Sequence, residues 1–183
     1  MAERTGYIGN LSVRLNLSPI CEAVQFICTK ELTAVTFCAS RTSLKVLMML
    51  KPTIEIDGAR FNTLDNFWDE ISAHLIPGAK WGRNFDAFND ILRGGFGTPA
   101  GGFRLRWVNF QTSRQALGYT ETIHWLENKM QRCHLDDVEL VKQEIEAARH
   151  GEGPTVADMI VDIIRIHGPG GNEEDDGIEL ELV

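Results

Sequence analysis

The sequence predicts an α/β protein with two layers: a three-stranded parallel sheet and helices packed on one of its faces. Three observations predict this. Strand-like and amphipathic helical segments alternate from about residue 49 to the end of the chain. Each candidate strand alternates apolar and charged residues, so one sheet face is apolar and the other polar. A parallel strand covered on both faces would be apolar nearly throughout. The segments between strands are long and helical, as a parallel pair requires.

The first strand is Thr53–Asp57, ended by the turn signal Asp57-Gly58. Thr63 is placed to cap a helix over 64–75, with Leu64, Phe67, Trp68, Ile71 and Leu75 on one stripe, and Ile76-Pro77-Gly78 stops it. Asn84 is placed to cap the next helix, in which Phe85, Phe88 and Ile91 face a core with Leu92 beside them. The glycine-rich stretch 93–102 is a long loop, followed by the second strand, Phe103–Trp107. A helix over 119–132 carries Ile123, Leu126 and Met130. Another over 137–149 opens on the capping-box pattern Asp136-x-x-Glu139 and stops at Gly151. The helix over 156–166 has Thr155 as cap, Asp158 at the box position and an apolar stripe from Val156 to Ile164. The third strand is Ile178–Leu182, and the acidic run 173–176 before it reads as a solvated loop.

The outward residues of these strands also give their order. Glu55 lies on the first, Arg104 and Arg106 on the second, Glu179 and Glu181 on the third. Opposite charges favour neighbouring strands and like charges disfavour them. The arginine strand therefore belongs in the middle, order 1-2-3, with both Glu55 and Glu179 in reach of Arg104.

Charge narrows the function. The 183 residues carry a net charge of −8, with an isoelectric point near 5.1. A nucleic-acid binder would need a basic face to replace counterions, so none is expected. The acidity suits a basic partner. Residues 1–48 hold five basic and three acidic side chains, so the acidity lies wholly in 49–183. This first stretch shows no clear period, apart from a strand-like AVTF at 34–37. It is expected to be an extension upstream of a natural start near Met49, the alternative being a small accessory element packed on the domain; on the first reading a chain beginning at Met49 should melt with the full one. A fall of more than about 5 °C, worth roughly 1 kcal/mol, would show that the extension packs. Cys21, Cys28, Cys38 and Cys133 match no zinc-ligand spacing. No stretch reaches the length of a membrane span, and the N-terminus lacks a signal-peptide pattern. Unpatterned thiols and these absences lead us to expect a cytoplasmic protein that makes no membrane contact.

Asp86 and Asp90 are the chemically suggestive pair, four residues apart and so on one side of their helix. Three readings are open: a solvated helix face, a metal or hydrolase site, and a mimic of substrate phosphates. A metal site would need more ligands, and His74, the nearest histidine in sequence, is on the preceding helix. The glycine-rich stretches 93–102 and 168–177 lack the strand–turn–helix setting of a phosphate loop. His74, His124, His134, His150 and His167 form no local catalytic signature; His150 and His167 sit in last turns, where a cation suits the helix dipole.

The segment around these aspartates resembles the barstar family of ribonuclease inhibitors. The family pattern is an aromatic residue, Gly, any residue, Asn, an apolar residue, Asp, Ala, an apolar residue, any residue and Asp. Trp81, Gly82, Asn84, Phe85, Asp86, Ala87, Phe88 and Asp90 meet it. The resemblance extends over about residues 50–183. It implies a barstar-like fold in which the helices at about 119–150 enlarge the connection between strands 2 and 3. It also implies an inhibitor of immunity type, one that guards its own cell, with no catalytic residue, cofactor or metal. The partner would be a basic nuclease, met by a monomer through the loop and helix at 78–92. The matched Asp86 and Asp90 would face the enzyme's active site, with Lys80, Trp81, Gly82, Arg83 and Asn89 around them. Three of these depart from the family: Lys80 stands for a tyrosine, Arg83 for an acidic residue and Asn89 for an aromatic one. A glutamate of the family's last helix falls at Ile166 or His167. These departures leave open a toxin nuclease of another type. They also leave open an interaction module of this fold with a non-nuclease partner.

Overall fold

A computed structural model describes residues 51–183; the expectation for residues 1–48 lies outside them. The described chain forms three strands and six α-helices. They run β1 (Thr53–Asp57), α1 (Leu64–His74), α2 (Phe85–Arg93), β2 (Arg104–Val108), α3 (Phe110–Ala116), α4 (Tyr119–Met130), α5 (Val138–Arg149), α6 (Val156–Ile166) and β3 (Glu179–Leu182). The sheet is parallel in the order β1-β2-β3, as the charge pattern predicts.

The pleat sorts the strand residues as expected. Ile56, Leu105 and Trp107 are fully buried, joined by Ile178 just before β3. The helices cover this face. Phe67 of α1 stacks on Trp107 at 5.5 Å, with Phe61 and Phe110 against the same indole at 5.7 and 5.0 Å. Ile160 and Ile164 of α6 and Phe88 and Ile91 of α2 complete the core.

On the other face the charges pair across the sheet. The register sets Thr53, Arg104 and Glu179 in one row and Glu55, Arg106 and Glu181 in the next. Arg104 meets Glu179 at 2.9 Å, Arg106 meets Glu55 at 3.1 Å, and Lys51 also reaches Glu179 at 3.0 Å. The expectation that Arg104 also reaches Glu55 is corrected by this register, which gives Glu55 to Arg106. Arg104→Glu should therefore destabilise by about 0.5–1 kcal/mol, as cross-strand ion pairs do. Glu179→Arg should restore part of the loss and Glu55→Arg none. Denaturant melts of the double mutants check this.

Three helix starts are built as their sequences predict. Thr63 accepts from the Asn66 N–H, Asn84 from the Ala87 N–H, and Thr155 and Asp158 form a reciprocal capping box. The fourth differs. Asp136 caps nothing, because Leu135–Asp137 form a 3-10 turn whose own bonds take the Asp137 and Val138 N–H groups. The second strand begins one residue later than expected, though Phe103 still points inward.

Helix α3 has no counterpart among the expected elements. Its core face carries Ser113 between Phe110 and Leu117. Bulk is excluded there by the β1–α1 turn: a Cβ on Gly58 would lie 2.5 Å from the Ser113 Oγ. A helix whose buried side is partly a serine shows no apolar stripe. Helices α4 and α5 form a hairpin around a small core of its own, made by Leu126, Val141, Ile145 and Ala148.

Candidate functional site

The loop before α2 is built around Trp81. Its ring stands edge-on to Trp68 at 5.2 Å, and its Nε1–H donates to the Ser72 Oγ at 2.9 Å. Gly82 follows where there is little room; a Cβ there would meet the Asn84 side chain at 3.1 Å and the Ala87 Cβ at 3.2 Å. Arg83 takes a left-handed backbone conformation at φ 50°. This turns the chain so that Asn84 can cap α2. Phe85 lies between Trp68 and Trp125, at 5.6 and 5.2 Å, and Phe88 beneath it is fully buried. These apolar contacts fix the inner side of α2 and so fix what its outer side presents.

Asp86 and Asp90 are both exposed on that outer side. They differ in their neighbours. Asp86 forms no ion pair among the described residues, whereas Asp90 lies 3.0 Å from the Arg93 guanidinium. Arg93 is shared. It makes a two-pronged bond to Glu173, with Nε to Oε2 at 2.7 Å and an NH2 to Oε1 at 2.5 Å. That bond raises the Arg93 pKa, and it holds the Glu173 carboxyl below the usual range for glutamate.

A carboxyl whose pKa is lowered on folding stabilises the folded state above its unfolded pKa, and that contribution is lost as pH falls through the folded value. Glu173→Gln should therefore lower Tm at neutral pH. Its curve should converge with the parent's in acid, as followed by thermal melts across pH.

The other residues singled out from the sequence sit as follows. Lys80 is exposed and forms no ion pair among the described residues. Arg83 does not stand beside Asp86 as a free cation; it folds back on α1, bonding Asp69 at 2.7 Å and the Asp65 carbonyl at 2.9 Å. Asn89 is half-buried and turned toward His167, 3.0 Å from its Nε2.

Sequence reasoning missed the network behind α2. His167, at the end of α6 where the sequence reading gives only a cation suited to the helix dipole, is fully buried. Its Nδ1 lies 2.7 Å from Asp176 and 3.4 Å from Glu173. The acidic run 173–176 is accordingly more than a solvated loop. Glu173 and Asp176 turn inward, Glu174 accepts from the Gly170 N–H, and Asp175 is exposed. His167, Glu173 and Asp176 bring ligand-type atoms within 4.8 Å of one another. The guanidinium of Arg93 already supplies the positive charge there, so the arrangement reads as an ion-pair network.

Helix α4 borders the site. Glu121 accepts from the Leu64 N–H at 2.7 Å, capping α1 from a distance. A cleft of about 720 Å³ runs between α1, the 82–85 loop and α4, lined in part by Arg83, Asn84, His124, Trp125 and Arg132. Among the described residues, no helix is long and apolar enough to cross a membrane.

The family model described as Barstar (barnase inhibitor) matches residues 51–148, which include the loop, α2 and its two aspartates. No curated protein matches the chain.

Proposed function

Because the chain belongs to the barstar family, whose model spans more than half of its length, we propose that it inhibits a ribonuclease or other toxin nuclease without being an enzyme itself. The carboxylates of Asp86 and Asp90 take the place of substrate phosphates in a basic active site. The observation that carries the reading is their joint exposure on the outer side of α2, whose inner side is locked into the core. A rigid surface loses little entropy on binding. Trp81, Gly82, Lys80 and Arg83 frame the contact, and Asn89 supports it from behind. The retention of Arg83 by Asp69 also supports the reading, since it removes a cation that would repel a basic enzyme. The partner is a basic nuclease, the free inhibitor is a monomer, and its setting is the cytoplasm of a cell guarding itself as with an immunity protein. Residues 49–183 form the inhibitory domain, and 1–48 an extension to it.

One observation favours a second reading, a non-catalytic interaction module with a non-nuclease partner. Lys80 adds an exposed positive charge at the edge of the surface, and a basic cleft would have to tolerate it. The two readings separate in one titration. The full chain is added to a barnase-type ribonuclease, and separately to any nuclease encoded beside its gene, while RNA cleavage is followed. Cleavage should cease near equimolar inhibitor. Unchanged cleavage by both at a large excess would leave only the second reading.

A further inference from the structure

A line of contacts joins buried His167 to the outer side of α2. The Nδ1 of His167 faces Asp176 at 2.7 Å, and its Nε2 faces the Asn89 amide at 3.0 Å. The far end of that amide faces the Arg93 guanidinium at 3.0 and 3.2 Å. Arg93 in turn touches Asp90 at 3.0 Å.

The ring dictates which way the amide points. A neutral His167 that donates from Nδ1 to Asp176 leaves Nε2 as an acceptor. Asn89 then gives its NH2 to the ring and its oxygen to Arg93, and every polar atom is matched. A protonated ring donates from both nitrogens. Nε2–H then takes the Asn89 oxygen, so the amide turns over and sets its NH2 against the guanidinium, donor facing donor. Arg93 loses an acceptor and keeps only carboxylates.

The charged groups around the ring act in the same direction. The 173–176 turn contributes Glu173 and Asp176, and α2 contributes Arg93 and Asp90. The chain leading into β3 meets His167 through the uncharged Ile178, whose N–H donates to the His167 carbonyl. An imidazolium draws Glu173, 3.4 Å away, toward itself and so loosens the hold of Glu173 on Arg93.

We infer that His167 is a positioning residue which, through Asn89, sets how firmly Arg93 covers Asp90: neutral His167 holds Arg93 back, and protonated His167 passes it to the carboxylate. The effect on inhibition rests on the function proposed above. The relay itself does not.

The test is NMR of the full chain, labelled with ¹³C and ¹⁵N, across pH. The probes are the His167 ring nitrogens, the Asn89 side-chain NH2, the Arg93 Nε and the Asp90 carboxyl carbon. The last three should shift together with the His167 ring nitrogens. In Asn89→Ala the Arg93 and Asp90 signals should no longer follow the ring nitrogens. Should that variant fail to fold, the parent spectra decide alone. Arg93 and Asp90 signals flat through the His167 midpoint overturn the relay. Where a nuclease binds, inhibition by the parent should weaken several-fold below that midpoint, and inhibition by Asn89→Ala should not. A relay seen by NMR with no nuclease bound would count against the inhibitor reading and leave the relay standing.

Discussion

Exchanging Asp90 for asparagine is expected to weaken nuclease binding by on the order of 2–5 kcal/mol, the usual result of truncating one partner of a buried, hydrogen-bonded charge pair. Each 1.4 kcal/mol is about tenfold in affinity, so the loss is roughly 30-fold to several thousand-fold. Stability should hardly change. Asp90 is exposed, its contact with Arg93 is an exposed pair three residues apart, and such pairs contribute about 0–1 kcal/mol. Removing one of two like charges on a helix face also relieves a small repulsion. Asp86→Asn, with no ion pair to lose among the described residues, should leave Tm still closer to the parent's. Association should slow as salt rises, because the attraction of an acidic face for a basic cleft is screened. The measurement is inhibition of RNA cleavage by each variant at several salt concentrations. Parent-like inhibition by both variants throughout would mean that the outer side of α2 is not the inhibitory surface.

Phe88→Ala should do the reverse and damage the fold. Phe88 is fully buried under α2 and packs on Phe67 and Trp68 at 5.7 and 5.6 Å. Truncating a buried phenylalanine costs about 3–5 kcal/mol, from lost transfer energy and the cavity left behind. That is a large part of the 5–15 kcal/mol that typically holds a domain together. Denaturant unfolding should show the midpoint falling sharply. The affinity of the remaining folded molecules should fall less, since the acidic side chains themselves are intact. Together the two substitutions separate the residues that hold α2 in place from those it presents.

Most of the architecture could be read in the sequence because its determinants are local or periodic. Thr63, Asn84 and Thr155 lie within three residues of the N–H groups they cap. The strand order was legible for a different reason: side chains alternate across a strand, so Glu55, Arg104, Arg106 and Glu179 had to share a face. Helix α3 was not legible, since its buried serine answers to Gly58, far off in the chain. The candidate site divides in the same way. The exposure of Asp86 and Asp90 follows from the apolar stripe on the opposite side of α2. The partners of Asn89 and Arg93 lie 78 and 80 residues away, and no spacing rule connects them. The return of Arg83 to Asp69 depends on a left-handed turn that the sequence does not announce.

The α4–α5 hairpin keeps a small core to itself and touches its surroundings at a few points. Glu121 bonds the start of α1, Thr122 accepts from the Val156 N–H at the start of α6, and Trp125 meets Phe85. Segments of this kind open as cooperative units at a free energy below that of global unfolding. Amide exchange should therefore show the hairpin opening while the sheet stays protected. Each opening would take the Glu121 acceptor from the Leu64 N–H of α1, the Thr122 acceptor from α6 and one aromatic wall from Phe85. The loop at 81–85 would then loosen in step with a pair of helices that carry none of the residues proposed for binding.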